Sequence, residues 1–212
     1  LAGKAATLDL LAGAAHFGGN LPQGMAWYAE AAGLARTLGD RRATASSLAW
    51  LAFRGPTALN QMVATAPLAA CIRSGEEALA MTREIQWRPG SAFAMLGLAF
   101  AWAARGNYGQ ALALGQQAHA ITQEIQHGWA TVAGMVLGII WMELGDHATA
   151  QRHLVQALEL ARQWNIDFGI HNATSFLALS LVQQRHFDRA EAILAHLFGE
   201  PPVPDKHAAA AI

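Results

Sequence analysis

Residues 104–126 read ARGNYGQALALGQQAHAITQEIQ, and the fold turns on what Gly106-Asn107-Tyr108-Gly109 does within them. Four residues with two glycines could form a phosphate-cradling loop or the turn of a helical hairpin. The phosphate reading fails on its particulars. No Gly-Lys-Ser/Thr follows, no G-x-G-x-x-G spacing is present, and no strand pattern precedes it. The same holds for GGNLPQG at 18–24. A helical turn needs only a residue that tolerates positive φ, which glycine and asparagine do.

Working outward, the turn recurs. Three segments align on it: LGLAFAWAARGNYGQALALGQQAHAITQEIQ, LGIIWMELGDHATAQRHLVQALELARQW and LALSLVQQRHFDRAEAILAHL. Gly106, Gly145 and Arg185 fall at equivalent points, 39 and 40 residues apart. SGEEALAMTREIQ at 74–86 matches LGQQAHAITQEIQ at 114–126 with a shift of 40, and AGLARTLGD at 32–40 matches LELARQWNI at 158–166. Alternation of period two is missing and β-branched residues are few, whereas alanine and leucine dominate. A fixed period in this range is the signature of a helical solenoid. The expectation is therefore an all-α solenoid of about five hairpins, at about 5–38, 41–86, 91–126, 129–164 and 167–198. First helices are expected at 5–18, 41–54, 91–105, 129–144 and 167–184. Second helices are expected at 22–38, 68–86, 107–126, 146–164 and 186–198. GPTALNQMVATAP at 55–67 reads as an insertion inside the second hairpin, its two prolines opposing a smooth helix. GEPPVPDKHAAAAI at 199–212 reads as a Pro/Ala-rich tail outside the repeats.

Within each hairpin the residues resemble the tetratricopeptide repeat (TPR). The fourth carries Leu137, Gly138, Trp141, Gly145, His147, Ala150 and Ala157. The third carries Leu98, Ala99, Trp102, Gly106, Tyr108, Ala111 and Ala118, and the fifth Leu177, Ala178, Leu181, Arg185, Phe187, Ala190 and Leu197. His147 replaces the usual aromatic, Arg185 replaces the turn glycine, and the closing proline is missing. A period near 40 is similar to the long-helix TPR type of MalT-like regulators and signalling ATPases, and that resemblance implies that the solenoid is a right-handed superhelix. Independently of that resemblance, Ala111, Ala150 and Ala190 are placed to face Ala99, Gly138 and Ala178, which lets paired helices approach closely. Cys71 holds the matching place in the second hairpin, as a small buried hydrophobe.

Composition narrows the function classes. Charged residues make up only 14% of the chain against a usual quarter, and the net charge is −1, so no basic field is available for nucleic acid. The apolar runs at 91–104 and 128–142 fall short of the roughly 20 residues a spanning helix needs, so no membrane role is expected. One cysteine forms no intrachain disulfide, a signal peptide is not expected, and a cytoplasmic location follows as the expectation. The missing initial Met hints at a fragment of a longer protein. His147 and His153 are six apart, and His119 and His127 eight apart. Neither pair has the spacing of two ligands on one helix face, so no metal site or cofactor is expected. Glu76, Glu77, Glu84 and Glu124 read as solvated faces rather than a general acid pair, and no enzyme activity is expected.

The resemblance implies that the first helix of each hairpin lines a concave groove. Its lining would be Phe93, Leu96 and Phe100 in the third hairpin and Val132, Met135, Ile139 and Met142 in the fourth. Asn172, Ser175, Leu179 and Val182 would line it in the fifth. Asp9, His16, Arg42 and Gln183 would make its ends polar. Helices that are apolar on all sides require a cover. A tightly wound superhelix could supply the cover itself. A partner protein or peptide, a small apolar effector, or the tail at 199–212 could supply it instead. The expected function is a non-catalytic binding or effector-sensing module of a larger signalling or transcription-regulating protein. The alternative is a homo-oligomerisation module, for instance a homodimer, without a ligand. On the groove reading, Phe100→Asp and Met135→Asp should abolish binding and leave folding cooperative.

Overall fold

The computed structural model describes residues 1–53 and 67–198. The insertion expected at 55–67, apart from Pro67, and the tail expected at 199–212 lie outside the described residues. Ten α-helices follow one another: α1 Ala2–Phe17, α2 Leu21–Thr37, α3 Arg41–Ala52, α4 Leu68–Glu84, α5 Arg88–Ala104, α6 Tyr108–Glu124, α7 Trp129–Glu143, α8 His147–Gln163, α9 Asp167–Gln183 and α10 Phe187–Phe198. No strand occurs among the described residues.

The turns repeat one geometry. Gly19, Gly106, Gly145 and Arg185 take φ of 85°, 84°, 77° and 63° inside hairpins, and Gly39, Gln86, Gln126 and Asn165 take positive φ between them. The next backbone N–H then reaches back to a carbonyl near the helix end, as from Asn107 to Trp102 (2.9 Å) and from Asp146 to Trp141 (3.0 Å). This closure satisfies carbonyls that a helix end leaves without partners. Two second helices, α6 and α8, and the first helix α3 are capped at the start by a short polar side chain. Asn107 accepts from the N–H of Gln110, Asp146 from that of Thr149, and Asp40 from that of Ala43. Helix α5 begins at Arg88, earlier than expected, because Pro89 falls within its first turn, where its missing N–H costs no hydrogen bond.

Consecutive helices pack on one another along the chain, and the first helices α3, α5, α7 and α9 also pack each on the next. The second helices make no comparable contact among the described residues. The stack is therefore wound with the first helices inside and the second helices outside. Small residues set the spacing between paired helices. Ala99, Ala111, Ala150, Ala178 and Ala190 are buried, and a Cβ added at Gly138 would lie 3.2 Å from the Ala150 carbonyl oxygen and 2.6 Å from Leu154 Cγ. Ala150→Leu adds three carbons at this seam and is expected to cost about 1–3 kcal/mol. A chemical-denaturation midpoint equal to wild type would show that the two helices do not meet here. Cys71 is buried in the same core, and burial pushes its thiol pKa up.

Outside the core, arginines at the starts of first helices hold the glutamates that end the second helices of the same hairpins. Arg41 pairs with Glu84, and Arg88 meets Glu124 at 2.6 Å. Arg36 of α2 reaches Glu77 of α4 at 2.5 Å. These pairs are solvent-exposed and each adds little stability. They do account for the recurring glutamates as outward, charge-paired positions.

Candidate functional site: the concave face

The centre of the inner layer is closed by its own side chains. Phe93, Leu96, Phe100, Met135, Ile139 and Met142 are all buried, between 0% and 8% exposed. Phe93 stacks on Trp129 with centroids 4.5 Å apart and on Phe53 at 4.8 Å, and meets Trp50 edge-on at 4.8 Å. Phe53 also meets Phe100 edge-on at 5.8 Å, and Trp50 stacks on Tyr28 at 5.6 Å. The result is an aromatic knot joining α2, α3, α5 and α7. Edge-on and offset ring pairs of this kind add to the burial of their large apolar surface. Four of its members, Tyr28, Trp50, Phe53 and Trp129, were not named from sequence. Phe53 was within reach, because it lies as far beyond Gly39 as Phe100 lies beyond Gln86.

The cover for this apolar centre is thus the neighbouring helices themselves, which redirects the test expected from sequence. An aspartate at Phe100 or Met135 would be forced into the core and report on folding rather than on binding. The other lining residues remain reachable. Val132, Asn172 and Leu179 are half-buried, Ser175 is exposed, and Val182 is 42% exposed. Asn172 and Ser175 bond back to their own helix, through Nδ2 to the Phe168 carbonyl and Oγ to the His171 carbonyl, both at 2.8 Å. What stays open on α7 and α9 is Val132 with Leu179 and Val182, and the polar Asn172 and Ser175 precede the last two on the same face of α9.

Asp9 and Arg42, two of the polar residues expected at the groove ends, border a cavity. It lies between α1 and α3, has a volume of about 560 Å³, and has Ala31 and Ala35 of α2 as its floor. Unlike the other first helices, α1 makes no comparable contact with its neighbour α3. Counted from the positive-φ turns, Ala6 of α1 and Ser46 of α3 occupy the place that Phe93 holds on α5. Both line the cavity. Asp9 lines the cavity and accepts a 2.8 Å hydrogen bond from the buried Ser47 hydroxyl. Arg42 stands at its edge with the guanidinium 4.6 Å from the centre of the Trp87 ring. Tyr28, fully buried beneath α1 and α3, has its phenol pKa raised by loss of solvent and by the Asp9 charge.

Elsewhere, His119 of α6 and His153 of α8 lie with ring centroids 6.4 Å apart, and burial lowers the pKa of both. Among the described residues no group of three or more His, Cys, Asp or Glu is placed to hold a metal ion. No described helix is long and apolar enough to cross a membrane.

The geometry defines a class, an α-solenoid of TPR-like helical hairpins, and known structures share it. The chain is similar to a Rap protein solved in complex with competence and sporulation factor (TM-score 0.74, 13% identity, covering 90% of this chain and 52% of that one). It is similar to a signal transduction ATPase with numerous domains and a tetratricopeptide repeat sensor from Pyrococcus horikoshii (TM-score 0.64, 12% identity, covering 96% and 31%). It is also similar to kinesin light chain TPR-like repeats from Podosopora anserina (TM-score 0.58, 14% identity, covering 92% of each). At these identities the shared property is the fold, and the chain spans about half of the first neighbour and a third of the second. No family model matches the sequence, and no curated protein matches it.

Proposed function

We propose that this chain is a non-catalytic protein- or peptide-binding repeat module, part of a larger signalling or transcription-regulating protein of the long-repeat, MalT-like kind, working in the cytoplasm. Its binding surface is the concave face. The observation that carries this reading is the open strip on α7 and α9, where Val132, Leu179 and Val182 stay reachable beside a fully packed aromatic centre. Apolar side chains spaced along one inner face, preceded on α9 by Asn172 and Ser175, suit an extended peptide or one face of an amphipathic helix. The structural neighbours support the reading, since one was solved with competence and sporulation factor and another carries its repeats as a sensor. Binding that favours one pitch of the superhelix would pass a signal to attached domains.

The test is to select peptides against the chain from a displayed random library and measure their affinity for Leu179→Asp/Val182→Asp. A loss of at least about tenfold is expected with an unchanged melting temperature, because partly open positions accept a carboxylate where the core does not. Unchanged affinity, or no selected peptide at all, would refute the concave strip as the binding surface.

A second reading, self-association without ligand, is favoured by Leu10 and Leu11 of α1, 75% and 43% exposed. Sedimentation across a range of concentrations separates the two, since only this reading requires dimers.

A further inference from the structure

The cavity between α1 and α3 has a feature that the strip on α7 and α9 lacks: a carboxylate without an ion-pair partner among the described residues. Asp9 is half-buried among alanines, and its hydrogen-bond partner among the described residues is the neutral Ser47 hydroxyl. The basic residues nearest to it in sequence on both walls are engaged elsewhere. Lys4 meets Glu30 at 2.6 Å, Arg41 pairs with Glu84, and Arg42 lies over Trp87. Asp40, the other acid at the cavity, caps α3 through the N–H of Ala43. Arg42 lines the same cavity with its guanidinium over Trp87, and neither acid of the cavity forms an ion pair among the described residues; of the two, Asp9 is the one not used to cap a helix.

We propose that this cavity is a side-chain pocket for a basic residue, taking the cationic end of an arginine or lysine of a bound peptide on Asp9 and its methylene stem along Ala6, Ala31 and Ala35. The reasons are chemical fit and volume. A half-buried carboxylate forms its strongest hydrogen bonds with a guanidinium or ammonium. A long aliphatic stem matches a floor of alanine methyls, as basic side chains commonly lie on apolar surface with the charge at the far end. About 560 Å³ is within the usual range for ligand pockets and is ample for one side chain. Its walls come from the first two hairpins, with Ala6 and Ser46 lining it where α5 carries Phe93, and Trp87 at its border. The inference rests on the peptide-binding reading for the source of the cation, and on the cavity itself for the chemistry.

The test uses n-butylguanidinium chloride and its neutral isostere n-butylurea, read by the methyl NMR signals of Ala5, Ala31 and Ala35. Saturable shifts are expected with the guanidinium at millimolar concentration and not with the urea. Asp9→Asn should weaken binding at least about tenfold, as expected for loss of a charge-assisted hydrogen bond. Ser46→Phe should abolish it by placing the third hairpin's side chain in the cavity, while its melting temperature certifies the fold. Shifts of equal size with n-butylurea, or affinity unchanged in Asp9→Asn, would overturn the pocket. In the second arm, Ac-Ala-Arg-Ala-NH2 should shift the same signals and Ac-Ala-citrulline-Ala-NH2 should not. Binding of n-butylguanidinium without binding of the arginine peptide would overturn the assignment to a side chain. Failure of the strip on α7 and α9 to bind selected peptides leaves both arms readable, because neither probe uses that strip.

Discussion

Phe93→Ala is expected to lower the stability of the domain by about 3–5 kcal/mol, the usual loss for truncating a well-packed aromatic residue. The magnitude follows from where the ring sits. It is 6% exposed and within 4.8 Å, centroid to centroid, of Phe53, Trp50 and Trp129, so its removal leaves three large rings facing a cavity. Rigid helices at fixed separation cannot collapse into that space, which is why the cavity term adds to the lost burial. Urea denaturation of the wild type and the variant measures it directly. Because α3, α5 and α7 meet at this ring, the loss should fall on the single global transition rather than on one hairpin. A change below about 1 kcal/mol, typical of a surface substitution, would mean that the aromatic knot is not part of the core.

Met135→Asp is expected to be more damaging still. Met135 is 4% exposed and belongs to the core that Leu154, Ala157, Leu158 and Leu177 build between α7, α8 and α9. A carboxylate there loses its water and gains no cation, at a cost of several kcal/mol. The cooperative unfolding transition should be lost or shifted by more than about 4 kcal/mol, a size reached only by such core insults. Val182 provides the contrast. It lies on the same inner layer on α9 but is 42% exposed, so Val182→Asp should stay within about 0.5 kcal/mol of wild type. Circular dichroism during denaturation compares the two. Equal behaviour would contradict the division of the concave face into a closed centre and an open strip.

The fold was legible because its punctuation is local. Gly106, Gly145 and Arg185 mark the same left-handed turn, and alanines at fixed offsets mark the seam where paired helices close. Both signals lie within one hairpin and repeat, so composition and spacing reveal them. How tightly one hairpin winds on the next is not local. It depends on contacts such as Phe53 with Phe93 and Trp50 with Trp129, between residues some 40 or more apart. Sequence periodicity shows that α5 and α7 are apolar on all sides. Only the winding shows that their inward residues cover one another. The cavity was illegible for a related reason, since Ala6 and Ser46 line a gap between helices that leaves no periodic mark. Asp9 and Arg42 could be read as polar groove ends. That one is bonded to Ser47 without an ion pair and the other held over Trp87 required the side-chain geometry.

The central claim, that this solenoid binds its partner on the inner face beside a closed aromatic centre, is tested most directly by hydrogen exchange. Amide protection would be mapped with and without a peptide selected from a displayed library. The account predicts new protection in α7 and α9, spreading to α1 and α3 when the peptide carries a basic residue, with the outer helices α6, α8 and α10 unchanged. Protection confined to those outer helices would contradict it.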